Sequence, residues 1–248
     1  MIKLIVSDLD GTLLPAGHKE LDAEIISMIR QLKEKGILFA VASGRSYQEL
    51  KRFFAPVSYD IIYICENGAL IMYHEEIQYQ KTIPYQSGID CIREIKEHTE
   101  YEWLAAGLHT CYIASEKQEY LSYLSKNNLH PMHVRALRDI PEAFLRISVY
   151  HDHRKEEIQA EPFVKRWQET LHASYWGDTW LDFTRCGIHK GEALKAVKQR
   201  FLTPSDEVLA FGDQDNDKEL LDTADYGYWV KEENEVKNYI KKNFLCGL

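Results

Sequence analysis

Residues 2–12 read IKLIVSDLDGT. The run 2–6 lacks the polar alternation of a half-exposed strand, apart from one lysine, and predicts a strand covered on both faces. It delivers two carboxylates, Asp8 and Asp10, to its carboxyl end, followed at once by a Gly11-Thr12 turn. Carboxylates are costly to bury and repel one another when close. A pair of them at a strand mouth therefore calls for partners elsewhere in the chain.

The following segments alternate in period. Residues 21–36, LDAEIISMIRQLKEKG, repeat apolar side chains at helical spacing (Leu21, Ile25, Met28, Ile29, Leu32) and end on Gly36, the residue type that closes helices. ILFAVAS (37–43) is a second buried strand, SYQELKRFF (46–54) a short helix and YDIIYICENGA (59–69) a third strand. Apolar strands joined by helices predict a parallel sheet covered on both sides. From residue 69 the pattern changes: ALIMY, HEE and IQYQK (69–81) form an antiparallel hairpin. Beyond it, helices (87–99 and 156–171) mix with amphipathic strands (101–106, 110–115, 144–150 and 180–185). The first pattern then returns with helix 190–201, strand 207–213, helix 217–224, strand 226–230 and helix 234–244. The expected fold is α/β: a doubly wound parallel sheet, Rossmann-like, formed by 1–81 and 182–248, with an inserted α+β domain over 82–181.

Ligands of open parallel sheets bind beyond the carboxyl ends of the strands, where the connections reverse. Four loops belong there. DLDGT carries Asp8 and Asp10, and GDQDND (212–217) carries Asp213, Asp215, Asn216 and Asp217. If the two face each other, at least three carboxylates share one small volume, which predicts a bound hard cation, Mg²⁺, and with it a phosphorylated ligand. SGRS (43–46) offers the Ser43 hydroxyl and the backbone N–H groups of Gly44 and Arg45 to an anion. In GIHKGEAL (187–194), Lys190 falls in the first turn of a helix, where a cation is electrostatically misplaced unless it points at an anion. Taken singly, each of these is as well read as a turn, an N-cap or a solvated lysine. Their order along a doubly wound sheet is what joins them.

The net charge of −9 argues against nucleic acid or an anionic membrane as partner. Five cysteines (65, 91, 111, 186 and 246) stand singly, as in a reduced, cytoplasmic protein. No apolar run reaches the roughly 18 residues of a spanning helix. The sequence says nothing of oligomeric state.

The stretches DLDGTLL, SGR, ENGA, HKGEAL and GDQDND, in this order along the whole chain, resemble the haloacid dehalogenase (HAD) superfamily of phosphohydrolases, in its Cof-type branch. The resemblance places that branch's α/β cap between ENGA and HKGEAL. It implies that Asp8 is a nucleophile that becomes an aspartyl-phosphate, and that Asp10 is general acid and then base. It implies that Mg²⁺ is held by Asp8, the Asp10 backbone carbonyl and Asp213, with Asp217 supporting through water. Ser43, Gly44, Lys190 and Asn216 would hold the phosphate or steady the nucleophile. The resemblance breaks at YGYWV (226–230), where small residues are usual, and at Arg185-Cys186-Gly187.

The expected activity is Mg²⁺-dependent hydrolysis of small phosphorylated metabolites, sugar phosphates or similar. A sugar-phosphate mutase and a non-catalytic phosphometabolite-binding protein are the alternatives. Substrate choice would lie in the inserted domain, which closes to exclude water. Its Trp103, Tyr112, Arg146, Tyr150, Trp176, Trp180 and Asp182 are read mainly as packing groups. The pairs His130/His133 and His151/His153 lack the other ligands of a zinc site and are read as exposed.

Overall fold

A computed structural model describes residues 1–126, 129–151, 155–176 and 179–245. The chain divides into two compact units, Met1–Gln80 with Ile188–Leu248, and Lys81–Gly187.

The first unit opens with β1 (Ile2–Asp8), α1 (Ala23–Glu34), β2 (Leu38–Ala42), α2 (Tyr47–Phe53), β3 (Ile61–Cys65), β4 (Leu70–Tyr73) and β5 (Glu76–Gln80). Asp22 caps α1 by accepting the Glu24 N–H at 2.9 Å. Gly36, at φ +69°, ends it, and Ile37 N–H returns to Leu32 O at 3.0 Å. His74 and Glu75, both at positive φ, make the two-residue turn of the β4–β5 hairpin.

The second unit holds α3 (Tyr85–Glu97), β6 (Glu102–Ala106), β7 (Cys111–Ile113), α4 (Gln118–Lys126), β8 (Met132–His133), β9 (Arg146–Tyr150), α5 (Lys155–Ala160), α6 (Pro162–Trp167), β10 (Leu171–Trp176) and β11 (Trp180–Arg185). Its strands form one sheet in the order β10-β11-β9-β6-β7-β8, antiparallel except for β7–β8. The main apolar cluster joins Ile89, Ile92 and Ile95 of α3 and Phe163 and Val164 of α6 to Trp103, Tyr112, Ile147, Leu181 and Phe183. A second cluster sets Tyr120 and Leu124 of α4 against Leu104, Ile113 and Trp180, with Tyr150 packed on it.

The helix expected over 156–171 is two helices, because Pro162 starts a new one at its first position, and residues from Leu171 pair as β10 instead. The return to the first unit falls at Ile188 rather than at 182, since β11 pairs along its length with β10 and β9. His151, expected to be exposed, is buried, and its N–H donates to Thr179 O at 3.0 Å. His153, Cys246 and the side chain of Trp176 lie outside the described residues. Cys65, Cys91 and Cys186 are free thiols.

The chain re-enters the first unit with α7 (Lys190–Phe201), β12 (Glu207–Gly212), α8 (Lys218–Thr223), β13 (Tyr226–Trp229) and α9 (Glu235–Ile240). Its sheet runs β13-β12-β1-β2-β3-β4-β5, parallel from β13 to β3 and antiparallel beyond. Leu4, Val6, Ala40, Ile62, Ile64 and Ala210 pack against Ala193, Leu194 and Val197 of α7 and Leu220 of α8. No helix of the described residues is long and apolar enough to cross a membrane.

Candidate active site

The register of the parallel strands positions the site. β1 lies between β12 and β2, with Ser7 opposite Phe211 and Asp8 opposite Ala42. The three strands therefore end together: β1 on Asp8, β12 on Gly212 just before Asp213, and β2 on Ala42 just before Ser43. This is where the connections reverse direction, with β2 following on one side of β1 and β12 arriving on the other.

Lys190 comes to this edge as the first residue of α7, whose start His189 caps by accepting the Glu192 N–H at 3.2 Å. Its ammonium is 1% exposed and donates to Asp8 Oδ1 at 2.5 Å and to Asp217 Oδ1 at 2.6 Å. The other Asp217 oxygen accepts the N–H groups of Asp213 and Gln214, each at 3.1 Å, which folds the GDQDND loop around it. Thr12 Oγ1 donates to Asp213 Oδ1 at 2.5 Å and so ties the first loop to the last. Gly11 makes that approach feasible: its φ is +91°, and a Cβ there would lie 2.3 Å from Asp213 Oδ2.

Carboxylate oxygens of Asp8, Asp213 and Asp217 lie within 4.8 Å of one another. One buried ammonium faces three carboxylates. Burial pushes Asp8 up to about 7, against the pull of Lys190 and with the push of Asp217 and Asp10. Burial also raises Asp213. Burial works against the charge on Lys190, but Asp8 and Asp217 outweigh it and hold the ammonium firmly protonated. An all-oxygen, net-negative donor set of this kind fits a hard divalent cation.

Asp10 stands apart from this group. Arg45 holds both its carboxylate oxygens, Nε to Oδ2 and Nη2 to Oδ1, at 2.8 Å each. Glu49 Oε1 lies 3.7 Å from Arg45 Nη1, and the guanidinium carbon stands 5.2 Å from the centre of the Phe53 ring. Ser43 is buried at the turn, and its Oγ accepts the Arg45 N–H at 3.2 Å, so that N–H is not free for an anion as expected. Gly44 sits against Asn67, whose side chain would be 3.2 Å from a Cβ at that position. The cap of α2 is Ser46, in a reciprocal pair with Glu49. Asp217 meets Lys190 directly, and Asn216 is exposed on the single turn Asp215–Asp217.

Two side chains of the site escape the sequence pattern. The Arg45 guanidinium carries a visible signal, since arginine follows Ser-Gly at a strand end. Thr12 reads only as part of a turn. Its hydroxyl bond to a residue 201 positions away leaves no local trace.

A doubly wound sheet with a buried carboxylate–ammonium group at its switch point defines an α/β enzyme. The chain belongs to the haloacid dehalogenase-like hydrolases, whose family model matches residues 5–243, in the Cof-type branch. Among its relatives, the 5-amino-6-(5-phospho-D-ribitylamino)uracil phosphatase YbjI of Escherichia coli (strain K12) is 22% identical over 236 residues, covering 92% of this chain and 84% of that protein. The HMP-PP phosphatase of Klebsiella pneumoniae (strain 342) is 24% identical over 233 residues, covering 92% and 84%. A crystal structure of a protein from Eubacterium rectale superposes with a TM-score of 0.84 at 26% identity, covering 97% of this chain and 98% of that one.

Proposed function

We propose that the chain is a Mg²⁺-dependent phosphatase that hydrolyses small phosphorylated metabolites, sugar phosphates or similar, through an aspartyl-phosphate on Asp8. The observation that carries the reading is Lys190, a fully buried ammonium clamped between Asp8 and Asp217 at the switch point. A carboxylate is a weak nucleophile, and a lysine that fixes one of its oxygens both orients it and offsets its repulsion from an incoming phosphate dianion.

In the first step an Asp8 oxygen bonds to phosphorus as the bond from phosphorus to the leaving oxygen breaks, and Asp10 gives that oxygen its proton. In the second, Asp10 takes a proton from water, whose oxygen bonds to phosphorus as the Asp8–phosphorus bond breaks. Inorganic phosphate leaves and both carboxylates are restored. Ser43, Gly44 and Asn216 hold the phosphoryl oxygens. Asp8, the Asp10 carbonyl and Asp213 would hold Mg²⁺, with Asp217 supporting through water, and the ion would offset charge on the phosphoryl oxygens. The named substrate of YbjI carries its phosphate on a polyol chain, which supports a small polyhydroxylated phosphate ester as substrate class.

The test is phosphate release from p-nitrophenyl phosphate and a panel of sugar phosphates. Activity is expected with Mg²⁺ and lost with a chelator, and Asp8→Asn is expected to be inactive while folded. Full activity of Asp8→Asn would remove the assigned nucleophile.

A further inference from the structure

Glu66, Asn67 and Gly68 follow β3, and all three take positive φ, at 50°, 53° and 104°. Left-handed backbone is unfavourable for residues other than glycine and persists where surrounding contacts enforce it. Here the contacts are with the loop that follows β2. Asn67 N–H donates to Ser43 O at 3.1 Å, and Glu66 N–H donates to Arg45 O at 3.0 Å. Ser43 N–H in turn donates to Ile64 O of β3 at 2.9 Å.

These bonds set the direction of one donor. In a trans peptide the carbonyl and the N–H point opposite ways. With Ser43 O held by Asn67, the Gly44 N–H of the same peptide points away from the turn. A glycine rotates its peptides readily unless something restrains it. At Gly44 the restraint is the Asn67 carboxamide: Nδ2 and Oδ1 are each 3.2 Å, and Cγ 3.5 Å, from where a Cβ on Gly44 would stand. Stability does not explain this side chain. Its Oδ1 is buried with no hydrogen-bond partner among the described residues, which is unfavourable. Glycine would take the same φ without strain and leave no such oxygen. On its other side the turn abuts the start of α7, where a Cβ on Gly68 would be 2.6 Å from His189 O. One turn therefore spaces the Ser43–Arg45 loop from Lys190.

We propose that Asn67 is a positioning residue for the substrate phosphate: its N–H and its carboxamide together orient the Ser43–Gly44 peptide, so that the Gly44 N–H is aimed before the phosphate arrives. This role rests on the reading of Ser43 and Gly44 as the loop that holds the phosphoryl oxygens. A donor fixed in advance needs no reorganisation when charge reaches it, and that is the advantage a restrained glycine has over a free one.

Asn67→Gly keeps the N–H and the left-handed backbone and removes the carboxamide. Urea unfolding is expected at or near the parent's midpoint. Isothermal titration calorimetry with inorganic phosphate, in the presence of Mg²⁺, is expected to show binding weaker by about ten-fold or more, because small misplacements of a binding group are costly. On p-nitrophenyl phosphate kcat/KM should fall on the same scale. The rise in Tm on adding Mg²⁺ without phosphate should match the parent's, since Asp8, Asp213 and Asp217 are untouched. A urea midpoint well below the parent's, or a weakened Mg²⁺ response, would make Asn67 a general support of the fold and overturn the proposal. A variant that binds phosphate and hydrolyses as the parent does would overturn the role of Asn67 alone. A parent chain that binds phosphate more tightly than the variant but releases none from the substrate panel would overturn the phosphatase reading and leave this role standing. A parent chain that binds no phosphate would overturn both.

Discussion

Arg45 grips Asp10 with a two-pronged contact, Nε and Nη2 each 2.8 Å from a different carboxylate oxygen. Such a fork fixes the plane of a carboxylate as well as its position, which a lysine does not do. Glu49 and the Phe53 ring hold the guanidinium in turn. If Asp10 moves the proton of the leaving oxygen, its orientation sets the rate of the first step, read as kcat/KM, only where that oxygen needs a proton. Arg45→Lys is therefore expected to lower kcat/KM by about ten-fold or more on a sugar phosphate, a part of the 10²–10⁴ that general acid catalysis supplies. On p-nitrophenyl phosphate, whose leaving group departs as an anion, the loss should be much smaller. Equal losses of kcat/KM on both substrates would show that Arg45 does not act through the proton that Asp10 gives to the leaving oxygen.

Lys190 has a different kind of importance, because it is the counter-charge for two buried carboxylates at once. Removing one member of a buried pair leaves the others uncompensated, typically at a cost of about 3–5 kcal/mol. Lys190→Met is expected to lower stability on that scale in urea unfolding and to abolish activity. Asp8→Asn removes a carboxylate and keeps a hydrogen-bond acceptor for the ammonium. It should unfold at a urea midpoint close to the parent while losing activity, so the two variants separate folding from chemistry.

The sequence made the site more legible than the scaffold around it. Asp8, Asp213, Asp217 and Lys190 are legible together, because their order along a doubly wound sheet brings them to one edge, although each alone reads as a turn or a solvated side chain. Arg45 is less legible, since a guanidinium beside a strand end is ordinary until its partner is known, and that partner is 35 residues away. In the second unit, β8 is two residues long, so local pattern has little to work with there. Residues 156–171 carry a helical period across a proline, and period alone cannot show that Leu171 begins a strand pairing with Arg185. The burial of His151 comes from tertiary packing, which has no local signature.

Gly11 offers a test of how closely the first and last loops must approach. A methyl group there would meet Asp213 Oδ2 at 2.3 Å, and the backbone lies at φ +91°, where side chains other than glycine's are strained. Gly11→Ala is expected to destabilise the protein by about 1–3 kcal/mol. By pushing Asp213 from Thr12 and Asp8, it should also raise the Mg²⁺ concentration needed for half-maximal activity. Gly17→Ala is the control for φ alone, because Gly17 has φ +82° and open space where its Cβ would be. A Gly11→Ala protein with the parent's Mg²⁺ dependence would separate the Gly11 contact from the metal group.

Burial raises Asp8 from the usual carboxylate range to about 7 in the absence of a cation, and raises Asp213 in the same direction. A carboxyl group whose folded pKa lies above its unfolded value binds more protons folded than unfolded. Its contribution to stability is then full below the unfolded pKa and is lost as pH rises toward 7. In chelator, the protein is accordingly expected to lose thermal stability between about pH 4 and 7 from these groups. A divalent cation favours the ionised form, so the sign reverses when it is present. The rise in Tm on adding Mg²⁺ should be small at pH 5 and larger at pH 8, since at the lower pH protons compete for the same oxygens. Asp8→Asn should flatten the pH dependence in chelator, because the group that titrates is gone. Differential scanning calorimetry at pH 5 and pH 8, with Mg²⁺ and with chelator, checks each sign. A larger Mg²⁺ effect at pH 5 would mean that the cation does not bind at the Asp8 group.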